Sequence, residues 1–159
     1  MTEEIGTLAI LLDNGAGAEA LARFEARWSG ERLVMDKWFG LQIVCAAPDQ
    51  AAAVTEALTR HRLFDWKNPN RFRSVIGALS GNHAGFHHAS GEGYRVLADW
   101  LIKLDPLNPQ TAARMSTAFE TWRRYDTGRQ ALAKAALARI AAAPGLSRDL
   151  GEMVGRMLG

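Results

Sequence analysis

Cysteine is nearly absent from this chain, and the one residue, Cys45, lies within the apolar run LQIVCAA. A single thiol forms no internal disulfide, so a reducing compartment is expected and the thiol is expected to pack as a small hydrophobe. Long hydrophobic runs are missing too. The N-terminal segment MTEEIGTLAILLDN is acidic where a signal peptide is basic, and its apolar stretch falls far short of the roughly 20 residues that span a bilayer. No membrane partner and a cytoplasmic location are therefore expected. Charge of one sign is also scarce: the formal net charge is +2 with 23% charged residues. A nucleic-acid footprint needs clustered cations on one face, so no nucleic-acid partner is expected.

Catalytic signatures are equally thin. No serine stands in a Gly-x-Ser-x-Gly elbow, and Cys45 has no evident base beside it, so neither serine nor cysteine nucleophilic chemistry is supported. Four histidines are present, His61, His83, His87 and His88, without a His-Glu-x-x-His pair. His83 and His87 share a helical spacing, but the glycines around them make a loop-rich segment with only Glu92 as a further oxygen ligand, so no metal is expected in this chain. One phosphate-binding pattern needs weighing. Gly15-x-Gly17-x-x-Ala20 follows an apolar run, and Asp36 lies 21 residues beyond Gly15, as in a dinucleotide fingerprint. That motif requires a parallel sheet, and no series of Val- and Ile-rich strands is available to build one. The glycines read instead as a turn between helices.

What the chain has is helix formers. With 159 residues and 48% hydrophobic content, it can bury about two thirds of its unfolded surface without external staples. Ala, Leu, Arg and Glu dominate and β-branched runs are rare, so the fold class is all-α. The pattern predicts a helix over about 3–12 capped by Thr2 and stopped at Asp13-Asn14-Gly15. A second covers about 17–28, with Leu21, Phe24 and Trp28 on one face. Residues 31–46 are apolar nearly all round and read as a central helix. Pro48 is expected to open a helix to about Arg60. Asn68-Pro69 and Asn108-Pro109 each open another helix, one runs over about 92–104, and Asp126 and Ser147 cap the last two. The two Asn-Pro starts are 40 residues apart. That spacing suits a superhelical stack of paired antiparallel helices of HEAT or ARM type, with about eight helices in a single domain 1–159.

The segment DWKNPNRFRSVIGAL concentrates the remaining polar chemistry. Lys67, Arg71 and Arg73 gather at a helix start, where cations are unfavourable by about 0.3 to 1 kcal/mol each. Asp65 and solvent can compensate. The alternative is a docking place for carboxylates, from another domain or from the end of a ligand, which suits the planar guanidinium fork.

Several ordered words give this cluster a context: MTEEIGTLA at the start, LVMDKWFGLQ from Leu33, NPNRFRSVIGA from Asn68, Phe86-His87, GEGY from Gly91, NPQTAAR from Asn108, RRYDTGRQ from Arg123 and LSRDL from Leu146. With them the chain resembles, over almost its whole length, the C-terminal helical domain of bacterial aminopeptidase N, the zinc-dependent alanyl aminopeptidases. The resemblance implies an all-α superhelical domain that closes over a catalytic domain of the same parent chain, where His-Glu-x-x-His holds zinc. It implies a piece of a longer polypeptide, non-catalytic by itself, with peptide substrates passing through an internal chamber and zinc only in the parent enzyme. It further implies that Arg73 and Arg114, with Arg71 and Asn70 alongside, line that chamber or link the two domains. His83 departs from the proline usual at its position, so the His83/His87 pair gains no metal role. A free-standing helical-repeat adaptor that binds a protein or peptide is the alternative.

Overall fold

The computed structural model describes residues 1–159, and every regular element in it is helical. The chain forms two compact units, Met1–Asn82 and His83–Gly159.

In the first unit, α1 (Thr2–Asp13), α2 (Ala18–Trp28), α3 (Arg32–Val44) and α4 (Ala51–Thr59) lead into a nearly continuous helix. That helix consists of α5 (Pro69–Phe72), a π-helical turn (Arg73–Gly77) and α6 (Ala78–Gly81). Helix α3 packs against α1, α2, α4, the π turn and α6, and it buries Met35, Trp38, Phe39 and Ile43. It is central as expected, but not surrounded. Leu33 is 70% exposed and Val44 53%, because neighbours cover only the stripe that recurs at helical spacing. Polar ties set the positions of these helices. The Trp38 indole N–H donates to the Leu21 carbonyl at 3.1 Å. Asn82 Nδ2 donates to the carbonyls of Ile43 and Ala46, both at 3.0 Å, satisfying the orphan end of α3.

Two expected starts are corrected. Thr2 lies inside α1, whose cap position is Met1 with no side-chain cap bond. Pro48 lies in a turn, and α4 begins only after Gln50. The phosphate-binding pattern is a helix–turn–helix. Gly15 sits at φ 73, a backbone conformation that glycine adopts without steric cost. At Gly17 a Cβ would come within 2.6 Å of the Leu12 side chain, so the glycine permits close packing of the turn on α1.

The second unit holds α7 (His83–Phe86), α8 (Glu92–Leu104), α9 (Pro109–Ser116), 3-10 turns at Thr117–Phe119 and Trp122–Arg124, α10 (Thr127–Ala141) and α11 (Arg148–Leu158). Here α9 and α10 both pack on α11, and α8 packs on α9 and α10. The core is formed by Phe86, Tyr94, Leu97, Leu101, Phe119, Leu137, Ile140 and Leu150. Buried Asp105, just after α8, accepts from the Ser147 backbone N–H at 2.7 Å and from its hydroxyl at 2.5 Å. The same Ser147 oxygen accepts from the Leu150 N–H at 3.1 Å, so α8 holds the N-cap of α11 in place. At the other end of α11, Trp122 Nε1 and Arg123 donate to the Met157 carbonyl, and Arg123 also to that of Leu158. The helical segments exceed the expected eight because short turns at 83–86 and 117–124 break what the sequence pattern leaves unassigned.

Candidate functional site

Both Asn-Pro pairs start helices by one mechanism. Proline lacks an N–H and has φ fixed near the helical value, so it suits a first position, while the preceding asparagine reaches forward to cap. Asn68 Oδ1 accepts from the N–H groups of Asn70 and Arg71 at 3.0 and 3.1 Å. Asn108 Oδ1 accepts from Thr111 at 3.1 Å.

Arg71 points inward. It is 7% exposed, and its Nε donates to Asp36 Oδ1 at 2.6 Å. One terminal nitrogen donates to the Leu63 carbonyl, and the other lies 3.4 Å from that of Arg32. The guanidinium also stacks over the Phe39 ring, 4.8 Å from its centroid. The compensating charge is thus Asp36, from α3. Asp65 instead accepts from the Lys67 N–H at 3.0 Å.

Arg73 points the other way. It is exposed on the first position of the π turn, and one terminal nitrogen donates to Asn70 Oδ1 at 2.7 Å. No carboxylate pairs with it. One residue on, a Cβ at Gly40 would stand 3.2 Å from the Ser74 carbonyl oxygen, so α3 and the π turn approach with little room to spare. π turns are frequent at functional sites. Arg114 lies in the second unit, on α9, and is likewise exposed. Asn70, Arg71 and Arg73 therefore form one local group, and Arg114 belongs to the other unit.

A second group escaped residue-by-residue reading. His87, 5% exposed, has its Nδ1 2.7 Å from the Tyr94 hydroxyl and stacks on Tyr125 with centroids 4.1 Å apart. Arg129 Nε donates to the His87 carbonyl at 2.6 Å, and its NH1 to Asp126 Oδ1 at 2.6 Å. Asp126 also caps α10 through the Arg129 N–H. Burial, with the nearby charges of His83 and Arg129, lowers the His87 pKa to about 4. Burial likewise raises that of Tyr94 to about 12. The phenol therefore keeps its proton and the imidazole beside it is neutral, so the pair shares a hydrogen bond between uncharged groups. Hydrogen bonds from Arg129 hold the Asp126 carboxyl below its usual range. The signal was present in Phe86-His87, GEGY and RRYDTGRQ, three separated words that meet here.

These residues do not fit a zinc ion. No three His, Cys, Asp or Glu side chains are grouped to hold a metal, and the Nδ1 of His87 is engaged by Tyr94.

Residues 1–159, the whole chain, match the family described as "Domain of unknown function (DUF3458_C) ARM repeats". The chain belongs to this ARM-repeat family. Among curated relatives, it is 42% identical over 139 residues to aminopeptidase N of Haemophilus influenzae, covering 87% of this chain and 16% of that protein. It is 41% identical over 162 residues to aminopeptidase N of Caulobacter vibrioides, covering 100% of this chain and 19% of that protein. Aminopeptidase N of Escherichia coli is 40% identical over 139 residues, again 87% of this chain and 16% of the relative. The crystal structure of Legionella pneumophila aminopeptidase A in complex with aspartic acid matches with a TM-score of 0.90 at 32% identity, over 99% of this chain and 19% of that one. The ARM-repeat chain is homologous to the C-terminal region of these aminopeptidases and spans less than a fifth of their length.

Proposed function

We propose that this chain is the C-terminal helical domain of a zinc-dependent aminopeptidase, packing against the catalytic domain of the same parent chain and lining the chamber through which peptides reach it. The observation that carries the reading is the similarity to aminopeptidase N along all of this chain, at 41% identity, within only 19% of the relative. Zinc, held elsewhere in the parent enzyme, would polarise the scissile carbonyl and activate water. This domain's part is to shape the space, in a cytoplasmic setting that suits its single thiol.

Within that reading, Arg73 and Arg114 present exposed guanidinium groups to the chamber or to the neighbouring domain, with Asn70 beside the first. Arg71 contributes from behind, by fixing the segment that carries Arg73 and Asn70.

The test begins with the natural reading frame around this sequence. It is expected to continue upstream to a His-Glu-x-x-His codon series, and the full product is expected to cleave alanine anilide in a chelator-sensitive way. The isolated chain, with zinc added, is expected to show no turnover. Turnover by the isolated chain, or a natural gene encoding only this stretch, would overturn the reading.

A further inference from the structure

We propose that the cleft where the ends of α1 and α3 meet α2 and α4 is a binding site for a small aliphatic amine, taken up as its ammonium ion. The site lies within the first unit and does not depend on the aminopeptidase reading.

The cleft measures about 460 Å³, inside the range of roughly 300 to 1,000 Å³ that small-molecule sites occupy. Leu12 and Asp13 reach it from the last turn of α1, Leu21 from α2, Gln42 and the following Cys45 from the end of α3, and Val54 from α4. The three aliphatic side chains are only half-buried, so the cleft keeps apolar surface within reach of a hydrocarbon tail, and covering that surface is favourable. One wall is fixed by packing. A Cβ at Gly17 would stand 2.6 Å from Leu12 Cδ2, so the turn after α1 holds the Leu12 side chain in place.

The polar lining selects the sign of the ligand. Asp13 is the one charged residue among those that line the cleft, which include no lysine, arginine or histidine. The Cys45 thiol hydrogen-bonds its carboxylate, so the two groups meet at one edge of the site. Gln42 spends its amide nitrogen on the Trp38 carbonyl at 3.1 Å, which leaves the amide oxygen to accept from a ligand. An ammonium group has three N–H donors and no acceptor, and it matches a carboxylate and an amide oxygen above an apolar floor. A free amino acid fits poorly, because its own carboxylate would meet Asp13 and find no cation in the lining.

Cys45 supplies the reporter, in the full natural protein at pH 8 with modification at this residue read by peptide mass spectrometry. Aminoethyl and sulfonatoethyl methanethiosulfonate carry opposite charges and react with the same thiolate. The ratio of their rates therefore cancels the thiolate fraction. Divided by the same ratio in urea, it is expected to favour the cation about tenfold, the effect of one opposite charge in a partly solvated site. Asp13→Asn is expected to bring the ratio to that of the unfolded chain. With the neutral reagent iodoacetamide, millimolar hexylammonium is expected to slow modification several-fold, whereas hexanoate and leucine leave the rate unchanged, and Asp13→Asn is expected to remove the protection. A native ratio equal to that in urea, a ratio or protection that survives Asp13→Asn, or equal protection by hexanoate overturns the proposal. So does a Cys45 that neither charged reagent reaches in the folded protein, since the cleft is then closed to small molecules.

Discussion

The Nε of Arg71 lies 2.6 Å from Oδ1 of Asp36, a residue 35 positions earlier in the chain, and both side chains are largely withdrawn from water. The pair joins α5 to α3. Removing one partner leaves the other charge buried, which costs about 3 to 5 kcal/mol. Asp36→Ala is expected to lower the melting temperature of the first unit steeply. Replacing both residues by leucine is expected to cost less than either single truncation. Thermal unfolding of the three variants checks this.

Gly93 has backbone, not side chain, against it: a Cβ there would stand 2.4 Å from the Phe86 carbonyl oxygen and 2.8 Å from the Phe86 Cα. Neither atom can swing aside, so Gly93→Ala must push α8 away from the 83–86 turn, at a cost of about 1 to 3 kcal/mol. The loss of the Tyr94–His87 hydrogen bond is its expected signature, read as an upward shift of the His87 pKa by NMR titration.

His87 itself gives a pH dependence with a defined sign. Its folded pKa of about 4 lies below the ordinary 6.5, so between these values the unfolded chain binds the proton that the folded one excludes. The contribution is fully present above pH 6.5 and is lost as pH falls toward 4. Melting temperature is expected to fall through that window, and His87→Gln to flatten this part of the curve.

Cys45 is expected to resist alkylation in the native protein at pH 8. Burial, together with the Asp13 carboxylate, raises its thiol pKa to about 11, and the thiolate is the reacting form. Iodoacetamide labelling followed by mass spectrometry should show slow modification that becomes fast in urea. Equal rates in both conditions would contradict the structural environment.

Ser147→Ala removes a hydroxyl that accepts from Leu150 and donates to Asp105. A lost cap costs about 1 kcal/mol, and the expected effect is larger because Asp105, 3% exposed, loses a partner. Hydrogen exchange at the first turn of α11 should rise in this variant more than in Asp149→Ala, whose side chain makes no such cap.

Chemistry local to a few residues was readable in advance. Asn68-Pro69, Asn108-Pro109, Asp126 and Ser147 start helices where expected, because each cap is made to a neighbour two or three positions away. Gly15 turns the chain with positive φ where the break is expected, and Gly145 does the same between α10 and α11. Pro48 misled because it can occupy a turn as well as a first helical position, and only the packing of α4 decides between them. Arg71 and Arg73 were indistinguishable as letters, two positions apart in one basic cluster.

The sequence by itself determined an all-α chain, the caps at Asn68, Asn108, Asp126 and Ser147, and its membership among aminopeptidase C-terminal regions, since these depend on local propensity and on ordered words. Tertiary structure alone decided that Arg71 meets Asp36 and turns inward while Arg73 stays open beside Asn70, and that Phe86-His87, Tyr94, Tyr125 and Arg129 converge. The Arg71–Asp36 and Arg129–His87 pairings join residues 35 and 42 positions apart, and their geometry exists only once helices pack and water is excluded between them.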